Sequence, residues 1–139
     1  MTTSDEVVQI GSVPVLMCAE RGSAIANERD AGDLIAAAWG CGAVWVVIPA
    51  ARLTPAFFQL RTRVAGMLLQ KLVNYRLCVA IVGDLTGRVA ESTAWRDFVL
   101  ESNQGRTVWF VADHDALRVR LLGTASGHGR DVSGMARIV

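Results

Sequence analysis

The chain has 139 residues, of which 52% are hydrophobic and 19% charged, and its net charge is +1. This length fits one domain with its own core. Acidic and basic residues are mixed along the chain, which argues against a nucleic-acid-binding surface. No apolar run reaches the roughly 18 residues of a membrane span, and the N-terminus is too polar and acidic for a signal peptide. We therefore expect a cytoplasmic protein that binds neither nucleic acid nor membrane.

The hydrophobic pattern predicts strands that alternate with helices. Short apolar runs bounded by turn residues indicate strands, and apolar residues spaced by three or four positions indicate helices. The predicted strands cover residues 7–10, 13–19, 43–48, 77–82 and 107–111, and the predicted helices cover residues 28–39, 54–76, 92–105 and 113–121.

Each predicted helix begins at a residue type that caps helices. These residues are Asn27, Thr54, Ser92 and Asp113, whose side-chain oxygens can accept a hydrogen bond from a free N–H of the first turn. Pro55 follows Thr54, at a position where its missing N–H is not needed. Residues 86–88 are predicted to form a loop.

The element order ββαβαβαβα predicts the fold class. Strands that are apolar throughout, joined by helices, indicate a single α/β domain with a mixed, mostly parallel sheet and right-handed crossovers. We expect this domain to cover residues 7–122. Residues 1–6 are expected to be disordered, and residues 123–139, which are rich in Gly and Ser, to form a flexible C-terminal tail.

A combination of short motifs resembles a known family. The motifs are Ala65-Gly66, Leu69-Gln70-Lys71, Val73-Asn74-Tyr75-Arg76, Ala80-Ile81-Val82-Gly83-Asp84, Arg96-Asp97-Phe98, Glu101-Ser102-Asn103 and Gly105-Arg106. In these the chain resembles the bacterial domain of unknown function family 4180 (DUF4180), over roughly residues 7–122. The resemblance implies no activity, because the family has no established one. Relatives usually have Gly and Glu where this chain has Arg63 and Met67.

The predicted strand order is also similar to that of STAS domains, the sulfate-transporter and anti-sigma-antagonist fold. This resemblance implies a regulatory module. STAS phosphoacceptors lie at the start of the helix that follows the central strand, where this chain has Thr54. Thr54 is therefore a candidate phosphoacceptor, and helix capping is its alternative role.

An uncharged polar stripe on the predicted helix 54–76 is the clearest functional signal. The stripe consists of Thr62, Gly66, Gln70 and Asn74. A helix face that meets only water usually carries charged residues, whereas hydroxyl and amide groups beside a glycine suit the close approach of a ligand or partner. The alternative is a structural role, with the amides satisfying backbone groups of a covering loop or subunit.

A second polar set contains Lys71, Asn74, Asp84, Glu101, Asn103 and Arg106. Asp84 follows the carboxyl end of a predicted strand, where open α/β sheets often bind ligands. Stabilising a turn is the alternative role of Asp84, and Asn103 lies near a helix end where its residue type is common.

Recognisable catalytic patterns are missing from the sequence. No glycine-rich nucleotide loop follows a strand, and two histidines with three scattered cysteines give no metal-ligand set. We expect no catalytic residue, metal or cofactor. The favoured hypothesis is a non-enzymatic STAS-like module that acts by protein–protein binding or by self-association as a homodimer. The alternative is a small-molecule-binding protein, or a small enzyme of secondary metabolism, with a pocket beside helix 54–76 near Ile48 and Asp84.

The four tryptophans are expected to lie mainly in the core, because large aromatic rings dominate buried area. They are Trp39, Trp45, Trp95 and Trp109. For Trp39 and Trp95, on predicted helices, a pocket or dimer face is the alternative.

Overall fold

The computed structural model describes the backbone of residues 5–128 and the side chains of residues 5–123. The strands are β1 (Glu6–Ile10), β2 (Val13–Met17), β3 (Trp45–Pro49), β4 (Cys78–Val82) and β5 (Val108–Val111). The helices are α1 (Glu28–Cys41), α2 (Val64–Asn74), α3 (Thr86–Glu91), α4 (Thr93–Gln104) and α5 (His114–His128).

The five strands form one mixed sheet in the order β1-β2-β3-β4-β5. β1 is antiparallel to β2, and the other neighbouring pairs are parallel. Val46 is opposite Val79, and Ile81 is opposite Phe110, so the central strands share one register. The predicted α/β class with a mostly parallel sheet is confirmed.

Two separate cores cover the two faces of the sheet. Val46, Val79 and Ile81 pack in one cluster with apolar residues of α1, α2 and α4. Neighbouring strand residues such as Val47 and Ala80 belong to a second cluster, which Leu117 and Leu121 of α5 complete. The central strands β3 and β4 are apolar throughout, as expected of strands whose two faces are both covered by helices.

Local sequence explains the ends of α1. The Asn27 side chain accepts a hydrogen bond from Asp30 N–H, while the Asp30 carboxylate accepts one from Asn27 N–H, which makes a capping box. Gly42 ends the helix with φ 77°, a left-handed conformation that glycine adopts without strain. The predicted cap at Asn27 is confirmed.

The predicted single helix over residues 54–76 is wrong. Three short 3₁₀ turns, Ala50–Arg52, Pro55–Phe58 and Leu60–Thr62, precede α2. Arg63 has φ 67° and interrupts the helical backbone, so α2 begins at Val64. The Thr54 side chain makes no capping hydrogen bond, which contradicts its predicted role as a cap.

The second half of the chain confirms some predictions and corrects others. The Ser92 hydroxyl accepts a hydrogen bond from Trp95 N–H at 3.1 Å, and the Asp113 carboxylate accepts one from Ala116 N–H at 2.8 Å, so both predicted caps are confirmed. The predicted loop over residues 86–88 is instead the start of α3. The Asp84 side chain anchors Thr86 at its start.

Both predicted terminal segments are partly structured. Glu6 belongs to β1, and the Asp5 carboxylate accepts a hydrogen bond from Ala19 N–H at 2.7 Å. Helix α5 continues to His128 and so includes the first residues of the predicted tail. The rest of the predicted tail and residues 1–4 lie outside the described residues.

Three of the four tryptophans lie in the core, as predicted. Trp45 and Trp109 pack against each other with ring centroids 4.5 Å apart and ring planes tilted by 42°, and Trp95 is buried among phenylalanines. Trp39 is an exception, because 59% of its surface is exposed. It packs edge-on against Tyr75, and its indole N–H donates to Tyr75 C=O at 3.1 Å.

Candidate functional site

A groove runs between α2 and α4 above the start of β5. Its volume is about 200 Å³. The lining residues are Gly66, Leu69, Gln70 and Val73 from α2, Phe98 and Ser102 from α4, and Thr107 and Val108 at β5. We call this feature the α2–α4 groove; it combines an apolar lining with a few polar groups, as ligand and peptide sites do.

Gly66 is exposed at the groove, and no side chain of residues 5–123 covers it. A Cβ atom built on Gly66 would meet no heavy atom within 4 Å apart from its chain neighbours and the backbone of its own helix. Since glycine inside a helix is less stable than alanine by about 0.5–1 kcal/mol, packing among the described residues does not account for Gly66. The position is open to the close approach of another molecule.

Gln70 and Asn74 present a linked pair of amides on the exposed surface of α2. Gln70 Nε2 donates to Asn74 Oδ1 at 2.8 Å. This bond leaves Gln70 Oε1 as an acceptor and Asn74 Nδ2 as a donor toward solvent. The prediction that Gln70 and Asn74 face outward is confirmed, and Gly66 and Gln70 both line the groove.

Thr62 and Lys71 lie outside the groove. The Thr62 hydroxyl is 2.6 Å from Ala56 C=O and 2.8 Å from Gln59 C=O, so it stabilises the 3₁₀ turns before α2. Lys71 Nζ is 3.7 Å from the Glu28 carboxylate, which places Lys71 on the side of α2 that faces α1. The predicted stripe is thus divided, with Gly66, Gln70 and Asn74 together and Thr62 apart.

Asp84 belongs to a different groove at the carboxyl ends of β4 and β5. This α3–α4 groove has a volume of about 420 Å³. The residues that line it are Gly83, Asp84, Leu85, Thr86, Val89, Ala90, Val99, Phe110, Val111 and Ala112. The predicted pocket joined Gln70 and Asn74 to the strand end at Asp84, but the structure separates these residues into two places.

The Asp84 carboxylate stabilises a turn. Its Oδ1 accepts hydrogen bonds from the Thr86 hydroxyl at 2.6 Å and from Thr86 N–H at 3.0 Å. The hydroxyl bond, followed by the backbone bond, lowers the pKa of the Asp84 carboxyl below its usual value. Asp84 is therefore ionised at the mouth of the α3–α4 groove at neutral pH.

The remaining predicted site residues lie on α4 and outside both grooves. Asn103 is committed to the backbone of Phe110, with Nδ2 donating to its C=O and Oδ1 accepting from its N–H. Glu101 is exposed to solvent, and its side chain makes no hydrogen bond or ion pair within residues 5–123. Neither residue is positioned to act together with Gln70.

Some lining residues were not selected from the sequence. Phe98 and Ser102 face α2 across the groove, and their i, i+4 spacing on α4 is the signal that identifies one helix face. The exposed Trp39–Tyr75 pair was also missed, since the sequence pattern favoured a buried ring.

Comparison with known proteins gives one assignment. A family model described as a domain of unknown function (DUF4180) matches residues 10–121. The chain belongs to this family. The match covers the last residue of β1, strands β2 to β5, helices α1 to α4 and the first half of α5. Both grooves therefore lie within the DUF4180 region.

Searches of curated proteins and of solved structures returned no match. No helix within residues 5–128 is long and apolar enough to cross a bilayer. Among the same residues, no three His, Cys, Asp or Glu side chains are grouped so that they could hold a metal ion.

Proposed function

We propose that this DUF4180 protein is a cytoplasmic, non-enzymatic, STAS-like interaction module that binds a protein partner through the α2–α4 groove. One observation carries the proposal: Gly66 lines the groove at an exposed position that no side chain of residues 5–123 covers. A glycine without a side chain suits a position where a neighbouring backbone comes close. The free groups of Gln70 and Asn74 supply hydrogen bonds for that backbone.

The geometry of the groove suits a peptide segment better than a compact ligand. Its volume of about 200 Å³ lies below the 300–1,000 Å³ of typical small-molecule pockets. Leu69, Val73 and Phe98 supply apolar contacts along its length. A partner segment can bury an apolar side chain there while its backbone bonds the amide pair.

Photo-crosslinking tests the partner and its location. A photoreactive amino acid at Gln70 should capture a protein of defined mass in cell extract, and Gln104, an exposed glutamine on α4 outside the groove, is the matched control position. Gly66→Leu should fill the groove, keep the fold and remove the crosslink. Equal capture from Gln70 and Gln104, or capture that persists with Gly66→Leu, contradicts the proposal.

Phosphorylation at Thr54 is the regulatory variant of this proposal. The Thr54 side chain caps no helix, so phosphorylation would break no capping bond among the described residues. Intact mass measurement of the protein isolated from its own cells, with Thr54→Ala as the control, should show a phosphate that phosphatase removes. Absence of the modified form under all growth conditions argues against this variant.

Small-molecule binding is the second candidate function, and the α3–α4 groove favours it. Its volume of about 420 Å³ and its place at the ends of β4 and β5 are typical of ligand sites in α/β proteins. Leu85, Val99 and Phe110 would contact an apolar body, while the ionised Asp84 at its mouth would attract a cationic group.

Ligand-induced thermal stabilisation distinguishes the two grooves. The protein is screened against metabolite fractions as wild type, as Gln70→Ala and as Ala90→Phe, which narrows the α3–α4 groove at an exposed position. If the ligand-induced rise in melting temperature is lost only in Ala90→Phe, the second candidate is supported. Loss in Gln70→Ala alone places the ligand between α2 and α4. A rise in melting temperature that persists in both variants contradicts both locations.

A further inference from the structure

The outer edge of β1 carries backbone groups that β2 does not use. Gln9 lies opposite Pro14 in the antiparallel pair. Pro14 C=O accepts a hydrogen bond from Val44 N–H at 3.0 Å, so the backbone of Pro14 is directed toward β3. Because bonded and non-bonded pairs alternate in an antiparallel ladder, the N–H and C=O of Gln9 point away from β2. Val7, two residues earlier, has the same orientation.

These groups remain unpaired within residues 5–128. Neither Val7 nor Gln9 forms a backbone bond at the outer edge there. The opposite edge of the sheet is different, because the Asn103 side chain bonds both the N–H and the C=O of Phe110 on β5. Proteins usually protect an edge with Pro, Lys, a bulge or a covering element. β1 contains no Pro or Lys, and its register with β2 is continuous.

The edge is already ordered in the single chain. At one end, Asp5 Oδ1 accepts a hydrogen bond from Ala19 N–H at 2.7 Å. At the other end, Gly11 with φ 63° makes the tight turn into β2. Because both ends are fixed, a pairing strand would meet a preorganised edge, and little conformational entropy would be lost on association.

We propose that β1 pairs antiparallel with β1 of a second copy of this chain and continues the sheet across a two-fold axis. With the axis at Val8, Val7 of one copy lies opposite Gln9 of the other. Both residues direct N–H and C=O outward, so each such pair exchanges two backbone hydrogen bonds. The same strand edge on both copies therefore supplies the donors and the acceptors of the interface, as an isologous interface requires.

The charge of Glu6 favours this register over one with the axis at Val7. With the axis at Val8, the two Glu6 carboxylates are four positions apart along the strands, or roughly 14 Å, beyond the screening length of about 8–10 Å in physiological salt. Each Glu6 then lies opposite an uncharged Ile10. An axis at Val7 would place the Glu6 pair only two positions apart, roughly 7 Å, where their repulsion disfavours pairing.

Apolar side chains flank the edge on both faces of the sheet. Val7 is 47% exposed on the face that carries α1 and α2, since it lies opposite Leu16 of that core. On the other face, Leu122 is 41% exposed and packs at the Gly11 turn. Pairing about Val8 would cover Val7 and bring the two Val8 side chains together on the α5 face.

This inference develops the self-association that the sequence led us to expect, and it does not involve the α2–α4 groove. Gln9→Pro tests it, because the Pro ring removes an N–H that the single chain leaves unpaired, so the fold should persist. Gln9→Thr is the matched control, which keeps the N–H and a strand-forming side chain. Native mass spectrometry of the full chain over a dilution series should show dimers for wild type and Gln9→Thr.

Dimerisation of Gln9→Pro should be about 10- to 100-fold weaker, because by symmetry two backbone bonds are lost and two carbonyls are left unpaired. If Gln9→Pro does not fold, Val7→Lys is the second test. It places a charge at the same edge and should weaken the dimer. A wild type that stays monomeric at all concentrations, or a Gln9→Pro dimer as tight as wild type, overturns the proposal.

Hydrogen exchange identifies the surface. The amides of Val7 and Gln9 should exchange slowly in concentrated protein and quickly on dilution, while the Val8 amide stays protected in both. Protection of Val7 and Gln9 that does not change with dilution means that another part of the same chain covers the edge, which also overturns the proposal. Gly66→Leu should leave dimerisation unchanged, so failure of the groove and failure of the β1 interface are distinguishable.

Discussion

The Asn103 side chain bonds the outward backbone groups of Phe110, as a sixth strand of the sheet would do. Its Oδ1 accepts from Phe110 N–H at 2.7 Å, and its Nδ2 donates to Phe110 C=O at 3.1 Å. These are the two backbone groups that β5 directs away from β4, because the neighbouring Val111 C=O bonds Gly83 N–H. One amide on α4 therefore satisfies both outward backbone groups of Phe110 and ties the helix to the edge of the sheet.

Removing this amide should destabilise the domain. Asn103→Ala leaves the N–H and C=O of a buried residue without partners, and we expect the free energy of unfolding to fall by about 1–3 kcal/mol. Urea denaturation monitored by circular dichroism measures the change. Gln104→Ala, at the exposed neighbouring position, should change stability by less than about 0.5 kcal/mol.

Asn103→Asp tests the two Asn103–Phe110 hydrogen bonds separately. The carboxylate can still accept from Phe110 N–H, but it cannot donate to Phe110 C=O, so stability should fall below that of wild type. If Asn103→Ala and Asn103→Asp both unfold like wild type, the Asn103–Phe110 contact carries no stability and the residue is free for the binding role that the sequence suggested.

The sequence predicted the sheet and the exposed amides because both depend on local periodicity. The runs around Val46 and Ile81 are apolar at every position, which is typical of strands covered on two faces. Gln70 and Asn74 are four residues apart, and this spacing alone puts them on one side of a helix. These features needed no knowledge of how distant elements pack.

The errors arose where backbone geometry departs from that periodicity. Phe57 and Leu60 continue the apolar spacing of α2, but 3₁₀ turns also bring residues three apart onto one side. An arginine at φ 67°, as at Arg63, has no sequence signal because such residues rarely adopt that conformation. The separation of Gln70 from Asp84 depends on tertiary packing, which spacing along the chain does not encode.

Gly66→Ala should stabilise the isolated protein. The new methyl group meets nothing within 4 Å, and alanine favours the helix, so the free energy of unfolding should rise by about 0.5–1 kcal/mol. Gly83→Ala is the contrasting control, because a Cβ there would lie 2.7 Å from the Ala50 Cβ and should destabilise. Thermal and urea unfolding measure both changes. A destabilised Gly66→Ala would show that the chain itself needs the glycine.

The three thiols should react in the order Cys41, Cys78, Cys18. Cys41 is exposed, while Cys78 is half-buried and Cys18 is buried. Burial raises the pKa of the Cys78 thiol, and burial followed by the Asp5 charge raises the pKa of Cys18 to about 12. Since the thiolate is the nucleophile, alkylation at pH 8 followed by peptide mass spectrometry should modify Cys41 first. Rapid modification of Cys18 in folded protein contradicts this order.

The raised pKa of the Cys18 thiol predicts that the protein loses stability in alkali. Between the ordinary thiol pKa of 9.0 and about 12, Cys18 keeps its proton in the folded state and loses it in the unfolded state. The unfolded state then binds fewer protons, so the free energy of unfolding should decrease as pH rises through this window. Urea denaturation at pH 8 to 11 should show a smaller decrease for Cys18→Ala than for wild type. Parallel pH profiles for the two proteins would contradict the prediction.

Thr62 tests whether a polar residue of the predicted stripe serves structure or binding. Its hydroxyl can donate to Ala56 or Gln59 C=O and accepts from Val64 N–H at 3.3 Å, the first N–H of α2. Thr62→Val keeps the shape and loses these bonds, so we expect a loss of about 1 kcal/mol, with faster exchange of the Val64 amide. Thr62→Ser keeps the hydroxyl and should retain most of the stability. If Thr62→Val is as stable as wild type but no longer crosslinks the partner through Gln70, then Thr62 contacts the partner and its bonds to the 3₁₀ turns are incidental.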